Sequence, residues 1–173
     1  MGDGGPALTM FRRKGSRCVA RLEPYEVRAL RQVAAEVVAL LTDGFDRGDP
    51  VVERLFPDVY PDDPASTADL RQYIDGELKT AKIDQAGAIL AVLPATGGTE
   101  VSLDDEAAEA WLRALNDVRL ALGIRLEVRD DTDLEEELDE AVLRDPTSPR
   151  VGQLELYGYL GLLQQSLLEA LTS

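Results

Sequence analysis

The sequence predicts a mainly α fold: a compact helical domain of about five helices, with a small N-terminal β-hairpin and one or two short accessory strands. Two observations carry this reading. Apolar residues recur at three- and four-residue steps along most of the chain, whereas strict alternation is confined to short runs. Aromatic residues make up only 5% of the sequence, so the 45% that is hydrophobic is mostly Leu, Val and Ala, a composition that favours helices. At 173 residues the chain can bury about 70% of the surface it exposes when unfolded, enough for an ordinary core. Residues 1–10 read as a mobile leader and 11–173 as one helical domain.

Phe11 to Leu22, FRRKGSRCVARL, reads as the hairpin. Lys14-Gly15-Ser16 supplies the turn, and Cys18, Ala20 and Leu22 alternate with Arg17 and Arg21. Arg12, Arg13, Lys14, Arg17 and Arg21 form the basic cluster of the protein. Arginines and lysines of this kind protect sheet edges and pair with acidic neighbours. Pro24 suits the first position of a helix carrying Val27, Leu30, Ala34, Val37, Val38 and Leu41, which Gly44 ends. A Pro-rich acidic connector follows, with one turn of helix over Val51 to Leu55. Its Leu55, Phe56 and Tyr60 are apolar enough to tack it onto the core, and Arg54 and Asp58 are spaced to pair locally.

Ser66 or Thr67 can cap the next helix, whose face is Leu70, Ile74, Leu78 and Ala81. The apolar phase shifts through Ile83, Ala86, Ile89, Leu90 and Leu93, which predicts a bend or a second short helix around Gly87. Lys79 and Lys82 are read as an exposed face of this helix. Pro94 and Gly97-Gly98 stop it, and Val101 and Leu103 begin a short strand that can pair with the hairpin.

Asp104 is the natural N-cap of the stretch around which the chain is organised, Trp111 to Leu126. Trp111, Leu115, Val118 and Leu122 form its stripe. Gly123 is expected to end the helix, with Ile124, Leu126 and Val128 alternating as a strand. Beyond it lies an acidic run in which Leu134, Leu138, Ala141 and Val142 keep helical spacing. A terminal helix spans Gln153 to Leu171. Leu156, Leu160, Leu163, Leu167 and Leu171 form one face, and further leucines spread round the rest, which suits a central position or a subunit interface.

Several chemistries are removed by residue type. The sequence has no histidine and a single cysteine, Cys18, so His-dependent triads, histidine or cysteine-rich zinc sites and an internal disulfide are excluded. The alternation points Cys18 inward as a structural thiol. A formal charge of -15 repels nucleic acid and anionic lipid, and no apolar run is long enough to span a bilayer. Phosphate-binding glycine loops are missing. Asp131, Asp133 and Glu135 fit the first, third and fifth places of a calcium loop, but Glu136 stands where its glycine belongs and Val142 where its bidentate glutamate belongs. No cofactor and no catalytic residue is expected.

The polar set of the central helix is the candidate site. Arg113 and Asp117 are one turn apart and suit an ion pair, as Asn116 and Arg119 suit a shared contact. With Arg54, Asp58 and Gln164 they are expected to form a structural network linking this helix to the connector and the terminal helix.

Four blocks, in order, carry a family resemblance: RCVARLEP, RLFPDVYPDD, VSLDDEAAEAWLRALNDVRLALGIRL and YGYLGLLQQSLLEAL. Together they resemble the actinobacterial family catalogued as domain of unknown function 2017, most specifically in Leu115 to Gly123. The resemblance implies a small cytoplasmic protein, often encoded beside the adaptor ClpS of the Clp protease, some relatives being labelled transcriptional or developmental regulators. It brings no catalytic residue or cofactor with it. The expectation is a non-enzymatic regulatory or interaction protein with a protein partner, or a homodimer through the terminal helix. A small enzyme using carboxylate and arginine, with Asp117 and Arg119, and a nucleic-acid-binding regulator using the hairpin arginines are the alternatives.

Overall fold

The structure, a computed structural model, describes residues 10–43, 45–46, 48–57 and 64–173, leaving aside the side chains of residues 64–68 and 71. Six helices and three strands occur among them: β1 (Arg12–Lys14), β2 (Arg17–Leu22), α1 (Pro24–Thr42), α2 (Pro50–Leu55), α3 (Pro64–Val92), β3 (Thr99–Leu103), α4 (Asp105–Leu126), α5 (Leu134–Arg144) and α6 (Pro149–Thr172). The fold is mainly α, as the periodicities predict.

The hairpin forms around Gly15, whose φ of 63° is one that a residue without Cβ adopts at no steric cost. β3 pairs antiparallel with β2, setting Cys18 against Leu103 and Ala20 against Val101. The sheet order is therefore β1-β2-β3, and Arg17 and Arg21 lie on the middle strand. Cys18, Ala20, Leu22, Val101 and Leu103 all point into the core, which confirms the inward reading of the thiol.

Helix boundaries follow local chemistry. Glu23 and Glu26 cap α1 reciprocally, each carboxylate accepting from the other residue's backbone N–H, with Pro24 at the first helical position. The Asp49 carboxylate accepts from Val51 N–H at the start of α2, and Asp104 from Ala107 N–H at the start of α4. Asp133 caps α5 in the same way, so one carboxylate of the calcium-like run is used as a helix cap. At the other end of α3, the Arg31 guanidinium donates to the Leu93 carbonyl at 2.9 Å, satisfying a group the helix leaves open.

α4 is the hub. It packs against α1, α2, α3 and α6 and reaches both β2 and β3. Trp111 and Leu115 are fully buried on it, and the Trp111 ring meets Phe11 edge-on with centroids 5.8 Å apart. Leu160, Leu163 and Leu167 of α6 are fully buried in the same core, and Ser166 accepts from Phe11 N–H. A smaller core of Leu126, Ala141 and Leu154 holds α5 onto the ends of α4 and α6.

Two helix ends differ from expectation. α4 runs through Gly123 to Leu126, so no strand forms over Ile124 to Val128. It closes at Glu127, in the left-handed region with φ of 60°, where Val128 N–H donates to Gly123 C=O and Glu127 N–H to Ile124 C=O. Gly123 serves packing instead: a Cβ there would lie 3.1 Å from the Tyr157 ring. α3 likewise continues through Gly87, so of the bend or second short helix expected there the separate helix does not form. The shift of apolar phase records a change of neighbour along one long helix, which packs against both α1 and α4. Ser66 and Thr67 fall inside α3, since it starts at Pro64. The expected terminator Gly44 and the loop residues Asp58 and Tyr60 lie outside the described residues, whereas Leu55 and Phe56 are buried as expected.

Candidate functional site

Arg119 stands between two clefts. α4 presents it toward α6, where its guanidinium lies 5.4 Å from the Tyr157 ring centroid, within cation–π range. Its Nη1 donates to Gln164 Oε1 at 3.4 Å, and Gln164 Nε2 in turn donates to Asn116 Oδ1 at 3.4 Å. The buried Nε has no partner among the described residues.

The first cleft, of about 560 Å³, runs along the α4–α6 seam between Leu112, Leu162, Gln165 and Leu168, with Gly158 and Gly161 in its wall. Leu162 and Leu168 are exposed there, at 65% and 45%. The second, of about 510 Å³, opens between α4, α2 and the α4–α5 loop. Arg54, Arg119, Arg129 and Thr132 supply its polar lining, with Asp130 also present. Leu134 and Tyr157 border both clefts.

The polar residues singled out in the sequence divide into three groups. Asn116, Arg119 and Gln164 come together as a bridge between α4 and α6. Asp117 belongs to a different contact: it is buried and pairs with Lys82 of α3 at 2.8 Å. Arg113 is exposed, so the expected Arg113–Asp117 pair does not form. The reason is geometric, since Asp117 faces α3 and Arg113 faces solvent. Arg54 is exposed at the mouth of the second cleft, and Asp58 lies outside the described residues.

The reading of Lys79 and Lys82 as an exposed face is overturned. Lys82 is largely buried with Asp117, and Lys79 lies over the Phe45 ring at 4.9 Å from its centroid. A signal for Lys82 was available: it falls four residues from both Leu78 and Ala86, on the stripe that continues to Ile89. Arg129 and Tyr157, missed as site residues, carry no such signal; only folding brings them to Arg119.

Burial pushes the Asp117 carboxyl above its ordinary range, and the Lys82 ammonium opposes that only in part. Elsewhere, burial and the neighbouring Glu26 carboxylate hold the Tyr159 phenol well above its usual ionisation range, beside a smaller cavity between α1 and α6. In the basic hairpin, Arg13 pairs with Asp105 at 3.2 Å, and Arg17 donates to the side chain and backbone of Ser102. Those two guanidiniums are engaged with the chain's own α4 and β3. Among the described residues no group of three His, Cys, Asp or Glu side chains is placed to hold a metal ion.

Of the residues named as an interface on α6, Leu160, Leu163 and Leu167 have no exposed surface, and Leu156 and Leu171 are half-buried. They pack on their own chain. The apolar surface that α6 offers outward is instead Leu162 and Leu168.

The model of the family described as Domain of unknown function (DUF2017) matches residues 8–171. The chain belongs to this family. The chain is also similar to the oxidative stress regulator AosR of Mycobacterium bovis and of Mycobacterium tuberculosis strain H37Rv. Each is 32% identical over 149 residues, covering 67% of this chain and 68% of the relative. The putative oxidative stress regulator AosR of Mycobacterium leprae is 32% identical over 147 residues, covering 66% of this chain and 67% of the relative. No solved structure matches. Among the described residues no helix is long and apolar enough to cross a membrane.

Proposed function

We propose that this chain is a cytoplasmic regulatory protein that works by binding a protein partner, in a response to oxidative stress. The names of its relatives support the regulatory part of this reading. The observation that carries the binding part is the first cleft. Leu162 and Leu168 present apolar surface beside Arg119, while Asn116 and Gln164 brace the helices beneath them. Exposed leucines next to an arginine suit the apolar anchors and polar rim of a protein contact.

The single cysteine shapes how such a regulator would operate. Cys18 is fully buried and has no second thiol within the chain, so regulation here does not run through an internal disulfide. The Clp neighbourhood implied by the family resemblance offers a first partner to try, the adaptor itself.

Deletion of the gene in the source strain tests the reading. Peroxide challenge should then change a set of transcripts or protein levels relative to the parent. The natural chain should restore them, and a Leu162→Asp/Leu168→Asp variant that folds normally should not. An unchanged profile in the deletion strain would sink the regulatory role. Full restoration by the double variant would move the contact off this face.

A further inference from the structure

The second cleft has a chemistry of its own. In a protein of net charge -15, three arginines from separate parts of the chain line one space: Arg54 from α2, Arg119 from α4 and Arg129 from the α4–α5 loop. Neither Arg54 nor Arg129 has a carboxylate partner among the described residues. Arg119 is held by Tyr157 and Gln164, which fixes the least exposed of the three arginines. Gathering like charges in one cleft costs energy unless an anion or high dielectric offsets it. Asp130, also in the lining, supplies one negative charge against the three positive ones.

Leu120, Ile124, Val128 and Leu134 contribute apolar patches to a wall that is otherwise largely polar, and Thr132, whose hydroxyl accepts from Arg129 N–H, also lines it. A volume of about 510 Å³ falls in the range of small-molecule sites.

We propose that this cleft binds a small molecule with one carboxylate or phosphate head and a short apolar body. Arg54, Arg119 and Arg129 take the anionic head, since guanidinium forks match the oxygens of both groups. The leucine and isoleucine wall takes the body. Leu134 also begins α5, which the smaller core of Leu126, Ala141 and Leu154 and the Arg150–Glu137 ion pair fasten to the rest. An occupant therefore touches α2, α4 and α5 together and draws α5 more firmly against the domain. This goes beyond the regulatory reading and is independent of it, because it is tested on the purified chain.

The test is titration of the full chain with hexanoate and with hexyl phosphate, followed by heteronuclear NMR at low and high salt. Acetate, inorganic phosphate and hexanol serve as comparators. Saturable binding of hexanoate or hexyl phosphate is expected, with shifts at Arg119, Tyr157 and Leu134, slower amide exchange in α5, and weaker binding at high salt. Which of the two binds identifies the head group as carboxylate or phosphate. Arg54→Gln/Arg129→Gln removes two exposed charges with no partner to orphan, and should weaken binding about tenfold or more. Arg54→Lys/Arg129→Lys should recover part of it. Absence of saturable binding by both anions would overturn the proposal. So would hexanol binding as tightly as the anions, inorganic phosphate or acetate binding as tightly as its alkyl counterpart, or a double glutamine variant with unchanged affinity.

Discussion

At the scale of single residues, the Lys82–Asp117 pair is the least exposed ion pair among the described residues. Both side chains are largely withdrawn from water, at 14% and 5% exposure, and the second carboxylate oxygen of Asp117 has no partner among the described residues. Breaking such a pair from one side leaves a buried charge, which costs about 3 kcal/mol or more. Lys82→Met should therefore lower stability by roughly that amount in urea unfolding. Replacing both partners, as Lys82→Met/Asp117→Leu, should recover most of the loss, because no uncompensated charge remains. A double variant no better than the single one would show that the pair positions α3 on α4 through more than its charge.

The same carboxyl gives a pH dependence with a definite sign. Asp117 binds its proton more tightly in the folded chain than at its ordinary value of 3.8. In the window above 3.8 and below the raised value, the folded chain holds a proton that the unfolded chain has released. The stability Asp117 contributes is thus fullest below that window and declines as pH rises through it. The natural chain should gain stability relative to Asp117→Asn as the pH is lowered through this range, measured by unfolding at a series of pH values. A difference that is flat, or that slopes the other way, would contradict the direction of the shift.

At the scale of elements, the glycines of α4 and α6 stand in opposite situations. A Cβ at Gly161 would rest 3.6 Å from Arg119 Nε, an ordinary contact. Gly161→Ala should accordingly raise the melting temperature, by an amount equivalent to up to about 1 kcal/mol of helix propensity. A Cβ at Gly123 would lie 3.1 Å from a Tyr157 ring that is itself engaged with Arg119. Gly123→Ala should lose that propensity gain to the clash and melt at or below the natural chain. The reverse order would mean that the Tyr157 ring yields freely. The same comparison explains why the end of α4 was misplaced from sequence. A glycine near the close of an apolar stripe reads equally as a terminator or as room for a neighbour, and only the position of Tyr157, on another helix, separates the two.

At the scale of the whole molecule, charge is the dominant fact. Self-repulsion of a net charge of -15 opposes the compact state, and salt screens it. The melting temperature should rise between about 10 mM and about 1 M sodium chloride at neutral pH, where the screening length falls from about 30 Å to about 3 Å. A fall across that range would mean that specific ion pairs, such as Arg125–Glu36 and Arg150–Glu137, outweigh the repulsion. Against this acidic background the arginine-lined cleft stands apart, as the basic hairpin does, and its concave shape with three guanidiniums points to an anion.

Much of this fold was legible in the residues. The stripes of α1, α4 and α6, the Glu23–Pro24 and Asp104 helix starts, the Gly15 turn and the inward alternation of Cys18 all follow from local sterics, capping and period, so the sequence alone determines them. The absence of histidine and the solitary cysteine likewise settle chemistry before any folding. Tertiary structure decided the rest. It sent Asp117 to Lys82 in place of Arg113, carried α4 past Gly123, and kept α3 in one piece through Gly87. It also gathered Arg54, Arg119 and Arg129 into one cleft from three parts of the chain. In each case the deciding partner lies on another element, beyond the few residues over which helical period and capping act.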